Sequence, residues 1–294
     1  MGTVIRTARL ADRPRILAIS AGIWEGYDYV PAVLSDWMLM RDSEVVVAEI
    51  DGVVSAFART VTMAPAYVWL EGIRSDPAMQ GHGAGKAITE YFIEKAVREG
   101  ARHIGLSTYV DNLASIHIVE KNGFTRQAMF ILCEATRESP ARALAMHARD
   151  VIAVEHAEAL AFIAGSSALK AGHGFLPQGW KFWPMARSVE HLVPPLAAAV
   201  GLRNRDGSLR ALLAWCRPDH GCAEATIDFV EGNAEDTDML VRHFLALNPG
   251  TETIQAIVPD PGALHSVTLA TLTAFEFDVW KYGEPDVFVY ERSL

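Results

Sequence analysis

DPAMQGHGAGKAI, Asp76 to Ile88, carries glycine at 81, 83 and 85 and runs directly into a segment whose apolar residues Ile88, Tyr91, Phe92 and Ala96 recur at helical spacing up to Gly100. A glycine loop that opens a helix presents free backbone N–H groups and the positive end of the helix dipole, and glycine lets an anion approach the backbone closely. The first reading is therefore an anion site, of a size suited to a diphosphate. Two well-known phosphate loops fail on spacing. A Walker loop needs glycine where Gln80 stands and a hydroxyl where Ala87 stands. A dinucleotide fingerprint is met by Gly81 and Gly83, but its third glycine comes one residue early.

Working outward, SEVVVAEI (43–50) reads as a strand, Asp51-Gly52 as a tight hairpin turn, and VVSAFARTV (53–61) and YVWLEGIRS (67–75) as two further strands. After the glycine loop and its helix (84–98) come a strand over 103–110, a helix over 112–122, a turn at Gly123 and a strand over 125–135. The order is β-β-β-α-β-α-β. An Ala-rich, more helical connector over 140–170 follows, and then the order returns: strands over 198–204, 209–216 and 224–230, a helix over 234–247, a strand over 253–258, a helix over 261–272, and strands over 275–282 and 286–291. Asp206-Gly207 repeats the hairpin turn of Asp51-Gly52. Where the first copy has QGHGAGKA, the second has EGNAEDTD, whose carboxylates repel a polyphosphate. The expectation is an α+β (mixed α/β) chain of two halves, an active domain over 1–140 and a degenerate copy over 141–294.

The chain has 294 residues, 50% hydrophobic and 21% charged, with a formal net charge of -10. That composition fits a soluble globular protein and disfavours a nucleic-acid partner, which needs a basic face. No apolar run approaches the ~20 residues of a membrane span, and the N-terminus lacks the apolar core of a signal peptide, so a cytoplasmic protein without a membrane partner is expected. Three cysteines, Cys133, Cys216 and Cys222, read as reduced thiols. Cys216, His220 and Cys222 cluster in sequence, but a fourth ligand is not evident and no metal site is expected.

DPAMQGHGAGKAI resembles the P-x-x-[QR]-G-x-G-x-[GA] signature of the GNAT N-acetyltransferase superfamily, with Pro77, Gln80, Gly81, Gly83 and Gly85 in register. NLASIHIVEKNGF resembles a second segment of that superfamily at Asn112, Ser115, Ile118, Glu120, Lys121, Gly123 and Phe124, and the β-β-β-α-β-α-β order is similar too. Over both halves, AISAGIWEGYDYVPAVLSDWM, VWLEGIRSDPAMQGHGAG and VWKYGEPDVFVYE look most like the histidine N-acetyltransferase family. The resemblance implies a GNAT fold with a central mixed sheet flanked by helices, followed by a degenerate GNAT-like half. It implies acetyl-CoA as co-substrate, its diphosphate surrounded by Gln80, Gly81, His82, Gly83, Ala84, Gly85 and Lys86, and its pantetheine arm and thioester on the backbone of Ile73, Arg74 and Ser75, with Asn112 and Ser115 near by.

Acetyl transfer to an amine needs a neutral amine, and an α-amino group with a pKa of about 8 is mostly protonated at neutral pH. Glu71, mid-strand among Val68, Trp69, Leu70 and Ile73, is the candidate base, where the superfamily often has one; the alternative is a strand carboxylate facing solvent. The pattern's usual proton donor to the leaving thiolate, a tyrosine, is replaced by Val119; Tyr109 or water is the candidate replacement. Trp24, Tyr27, Asp28 and Tyr29 in GIWEGYDYVP form a candidate acceptor site, aromatic walls around one carboxylate, or else a loop with aromatic core anchors. GWKFWP (179–184) is expected to pack between the halves. The function these residues imply is acyl transfer from acetyl-CoA to a small primary amine, such as the α-amino group of a free amino acid, histidine or another. The competing readings are a non-catalytic acyl-CoA sensor and a protein N-acetyltransferase. The state expected is a monomer whose halves mimic a dimer, or a homodimer.

Overall fold

The computed structural model describes residues 2–26, 28–185, 194, 196–216, 224–260, 267–279 and 284–294. The first half comprises β1 (Thr3–Thr7), α1 (Arg13–Ser20), α2 (Val30–Trp37), β2 (Ser43–Ile50), β3 (Val53–Ala64), β4 (Tyr67–Ser75), α3 (Ala84–Arg98), β5 (His103–Tyr109), α4 (Leu113–Lys121) and β6 (Thr125–Thr136). The second comprises β7 (Ile152–Ala153), α5 (His156–Gly165), α6 (Ser167–Ala171), the hairpin β8 (Phe175–Gln178) and β9 (Lys181–Pro184), β10 (Ala198–Arg203), β11 (Leu209–Cys216), β12 (Glu224–Glu231), α7 (Ala234–Leu247), β13 (Thr253–Pro259), α8 (Val267–Ala274), β14 (Asp278–Val279) and β15 (Val287–Ser293). This is the mixed α/β architecture expected, written twice. Among the described residues no helix is long and apolar enough to cross a membrane.

Among the described residues, both copies contribute to one 13-stranded sheet in the order β1-β2-β3-β4-β5-β15-β6-β13-β12-β11-β10-β7, with β14 beside β6. The order contains an exchange that sequence reading did not anticipate. β15, the last strand of the second half, lies between β5 and β6 of the first, antiparallel to both. In return, the second part of β6 lies between β13 and β14 of the second half. Each half therefore lends a strand to the other, and the boundary between them runs through the sheet.

The strands are apolar on both faces because both faces are covered. Along β2, Val46, Ala48 and Ile50 face α3 with Ile88, Phe92 and Ala96, while Val45 and Val47 face α1 and α2 with Ile16, Ile19 and Leu34. In the second half α7 covers one face through Leu240, Val241 and Phe244. The shared middle of the sheet packs Trp69, Phe130, Phe229 and Val287 against Phe182 of the β8–β9 hairpin, with ring centroids of Phe130 and Phe182 4.7 Å apart. The GWKFWP segment thus packs between the halves, as its composition suggested. The expected helix over 261–272 is observed from Val267, and its earlier residues lie outside the described ones, as do Trp280 to Tyr282 of the expected strand over 275–282. Among the described residues of that strand, Asp278 and Val279 pair with β6, while Phe275 and Phe277 turn into the core.

Candidate active site

β4 and β5 run parallel from Tyr67 opposite His103 to Leu70 opposite Leu106, and beyond that pair no ladder joins them. Two things separate them. β5 continues along β15, up to Tyr109 opposite Val287, whereas β4 bulges: Phe57 faces Arg74 and Arg59 faces Glu71, so β4 carries an extra residue at Gly72–Ile73. Gly72 has φ +64, open to glycine, and lies so close to Trp37 that a Cβ would sit 2.7 Å from its ring. The backbone of Ile73, Arg74 and Ser75 therefore lines an open wedge of the sheet.

At its mouth, the Asp76 carboxylate accepts from the Ala78 N–H (2.9 Å) and is paired with Arg15, which fixes the turn Pro77–Met79. Gly81 and Gly83 both have φ +83, and a Cβ on either would touch nothing, so backbone conformation rather than crowding calls for glycine there. Gly83 is the N-cap of α3, and the first helical bond runs from the Ala87 N–H to the Gly83 carbonyl (2.9 Å). The preceding N–H groups, of Ala84, Gly85 and Lys86, have no partner within the helix. Gly85 lies under Ser75, where a Cβ would be 3.5 Å from the Ser75 Oγ. His82 folds back onto the carbonyls of Met79 (3.1 Å) and Gln80 (3.2 Å). Lys86 is exposed and 3.4 Å from Glu90 on the outer face of α3. The Asn112 carboxamide oxygen caps α4 by accepting from the Ser115 N–H (3.2 Å), so these two residues shape the helix start.

Glu71 does not face solvent. Its carboxylate accepts from Arg59 at 2.5 Å, and the Arg59 side chain, only 4% exposed, stacks over Trp37 (4.9 Å) beside Met40. Arg59 is the site residue the sequence reading missed. Its signal was present: a lone Arg in VVSAFARTV, paired across the Pro65–Ala66 turn with the lone Glu of YVWLEGIRS.

The acceptor loop departs from expectation in one respect. Asp28 is buried and engaged: it accepts from Arg74 through both Nη2 (3.0 Å) and Nε (3.2 Å), and from Ser20 Oγ (2.5 Å). Asp28 is therefore not the open carboxylate of an amine site but the anchor that holds Arg74, whose guanidinium lies over Trp24 (4.4 Å) and Tyr29 (5.6 Å). The physical reason is desolvation: a carboxylate this buried needs a cation. Tyr29 packs edge-on to Trp37 (5.8 Å), and burial together with the charge of Glu71 pushes its hydroxyl pKa up, so it stays a donor. Tyr27 lies outside the described residues. The structure brings together Glu71, Trp24, Tyr29 and Arg74, with Arg59, on the face of β4 opposite α3.

Val119 is 1% exposed and packed with Phe92, Phe124 and Tyr290, so the place of the usual tyrosine is part of the core. Tyr109, the alternative donor, is 3.3 Å from Asp286, and burial plus that carboxylate raise its pKa. Asp286 belongs to the second half, as does the Trp180 carbonyl that accepts from Ser107 Oγ (2.6 Å). His220 and Cys222 lie outside the described residues, and Cys216 is buried beside Thr226. Among the described residues no group of His, Cys, Asp and Glu is placed to hold a metal ion.

Residues 12–124, the span that contains the wedge, the glycine loop and Glu71, match the acetyltransferase (GNAT) family. The matched span lies wholly within the first half. The acyl donor of GNAT enzymes is acetyl-CoA. Solved structures extend the likeness of fold over the whole chain. A GCN5-related N-acetyltransferase from Sphaerobacter thermophilus is 13% identical with a TM-score of 0.63, covering 99% of this chain and 95% of its own. An acetyltransferase from Thermoplasma acidophilum is 14% identical with a TM-score of 0.60, covering 99% and 100%. One from Pyrococcus horikoshii is 12% identical with a TM-score of 0.61, covering 100% and 90%. No curated protein matches the chain. The GNAT match concerns the superfamily and carries no sign of the histidine N-acetyltransferase branch.

Proposed function

We propose that this GNAT enzyme transfers acetyl from acetyl-CoA to the primary amine of a small molecule, with a free α-amino acid as the acceptor class. The observation that carries the reading is the wedge itself: β4 and β5 part after Leu70–Leu106, the N-terminus of α3 faces its mouth, and a carboxylate, Glu71, stands on the first residue past the split. The diphosphate rests on the N–H groups from Gly81 to Lys86, and the pantetheine arm extends along Ile73 to Ser75 as an added strand. N–H groups of that edge polarise the thioester carbonyl as its oxygen gains charge.

Glu71 takes the ammonium proton of the acceptor, directly or through water, and the freed nitrogen attacks the thioester carbon. The attacking nitrogen gives its second proton to water, and the tetrahedral intermediate collapses with cleavage of the C–S bond. With Val119 in the tyrosine's place the thiolate leaves unaided or takes its proton from water, which a thiol pKa of roughly 8.5 permits at reduced rate. The amino-acid class is supported by charge: Glu71 and Arg59 form one carboxylate–guanidinium pair and Arg74 and Asp28 another, flanked by Trp24 and Tyr29. An ammonium and a carboxylate on one carbon of a small acceptor match such alternating charges.

The test is release of free CoA from acetyl-CoA with each of the twenty amino acids and several polyamines, run beside a CoA-binding titration. Turnover with an amino acid supports the reading and names the acceptor; turnover with polyamines alone rejects the acceptor class. CoA binding without release on any of these amines favours the non-catalytic reading that Val119 and the Arg59-paired Glu71 motivate, or a protein N-terminus as acceptor.

A further inference from the structure

The second half keeps the split sheet but not the phosphate loop. β12 and β13 run parallel from Glu224 opposite Thr253 to Ile227 opposite Ala256 and then part, as β4 and β5 do. Next to the split lies a cavity of about 230 Å3 walled by Phe130, Leu169, Phe175, Leu176, Phe229 and Ile257. Asp228 also lines it, one residue past the last parallel pair, the register position that Glu71 holds in the first half. The two carboxyls differ in their partners. Arg59 faces Glu71, whereas Asp228 sits in a bulge opposite Ala214 and Trp215 and has no cation in hydrogen-bond contact among the described residues.

Asp228 is 2% exposed. Its Oδ1 accepts from Thr226 Oγ1 (3.0 Å) and Cys216 Sγ (3.4 Å), and the carboxyl is also reached by the Gly179 N–H of the hairpin turn, yet among the described residues the buried Oδ2 has no hydrogen-bond partner within normal geometry. A buried polar atom left unpaired beside a cavity is satisfied by what fills the cavity. Burial pushes the Asp228 pKa up to about 8, so at neutral pH the group is mostly a neutral acid with an O–H to donate. The charge of Lys181 is felt at this cluster, which disfavours an ammonium guest. At the start of α7, Glu235 and Asp236 replace the glycine loop, and Asp236 is held by Arg210. Glu231 is tied to the N–H groups of Ser167 and Ala168.

We propose that this slot is a second ligand site, which binds a small, uncharged, largely apolar molecule through one carbonyl oxygen hydrogen-bonded to Asp228, and which rejects nucleotide-bearing coenzymes. The site is independent of the acetyl-transfer reading, since its ligand neither reacts nor enters the first wedge.

The test is ligand-observed NMR on the full chain with CoA in excess, so that the first wedge is filled, using N-butylacetamide, hexanamide and cyclohexanone as probes and butylammonium as the charged comparison. At least one carbonyl probe is expected to bind and butylammonium to bind at least tenfold more weakly. Val267→Trp, at a rim position 40% exposed, is expected to weaken the probe at least tenfold while CoA binding is unchanged. Asp228→Asn, which keeps a donor, retains binding and Asp228→Leu loses it. Binding of no carbonyl probe, equal binding in Val267→Trp, preference for butylammonium, or a second equivalent of CoA displacing the probe would each overturn the proposal. Val267→Trp keeps the test decisive if Asp228→Leu does not fold.

Discussion

Arg59 and Glu71 are direct partners on neighbouring strands, and their side chains meet at 2.5 Å inside the sheet's covered face. The pair fixes the orientation of the carboxylate while also making it part of the fold.

Two effects of Glu71→Gln must therefore be separated. Loss of the base is expected to lower turnover by 10²-fold or more, on the order of what positioned acid–base groups supply. Loss of the charge leaves the buried Arg59 guanidinium without its counter-ion, expected to cost about 3 kcal/mol. The double variant Arg59→Met with Glu71→Gln removes both charges, and urea unfolding should show most of the stability recovered. Free-CoA release should stay as low as in Glu71→Gln, with CoA affinity intact in both. Recovery of turnover in the double variant would mean that Glu71 acts only by balancing Arg59.

Gly72 links the bulge of β4 to the acceptor side. Its φ of +64 disfavours any side chain, and a Cβ would stand 2.7 Å from Trp37, whose ring supports Arg59. Gly72→Ala is expected to lose about 2 kcal/mol or more from strain and displacement of the indole. Trp37→Leu in the same chain removes the clash but not the φ, so urea titrations should show a second substitution that is less harmful in the Gly72→Ala background than alone. Additive losses would place the strain elsewhere.

The first half was legible because its constraints are local. Strands over 43–50 and 67–75 and the helix over 84–98 are observed at those bounds, since a turn pair, a bounded β-branched run or a glycine marks each end. Gly81 and Gly83 were legible as a loop because backbone conformation shows directly in residue type, whereas Gly85 lies in the first turn of α3. Asp28 misled because a carboxylate near aromatics reads alike whether it awaits a ligand or holds Arg74, and only the fold brings 28 and 74 together. The exchange of β6 and β15 was invisible for a stronger reason. Either half's last strand has the same apolar alternation and fits either slot, so pattern alone does not choose between them.

Asp228 gives stability a pH dependence of definite sign. Its folded pKa of about 8 lies above the ordinary 3.8, so the native state keeps a proton that the unfolded chain releases as pH rises from about 4. The contribution is present below that range and is lost as pH climbs towards 8. The thiol of Cys216, whose own pKa is raised, and the charge of Lys181 face the same cluster and do not change the sign. Asp228→Asn is expected to be more stable relative to the parent at pH 8.5 than at pH 5.5 by a few kcal/mol, on the order of 1.4 for each pKa unit. Urea unfolding of both proteins at the two pH values measures it, and a difference independent of pH would place the ionised form in the native state.

Phe130 marks where the halves interlock: Val287 of β15 lies opposite it on one side and Pro259 of β13 on the other. Up to Phe130, β6 completes the first half beside β15; beyond it, β6 completes the second half beside β13 and β14. Because β15 joins β5 to β6, removing it opens the sheet next to the wedge, exposing edges of both strands and the contacts of Val287, Val289 and Tyr290. Residues 1–140 expressed alone are therefore expected to lack a cooperative thermal transition and to bind CoA at least tenfold more weakly than the full chain. Supplying 141–294 in trans should restore both by completing the two exchanged slots. A chain of 1–140 that melts cooperatively and binds CoA as the full protein does would show that β15 closes the sheet without supporting the site.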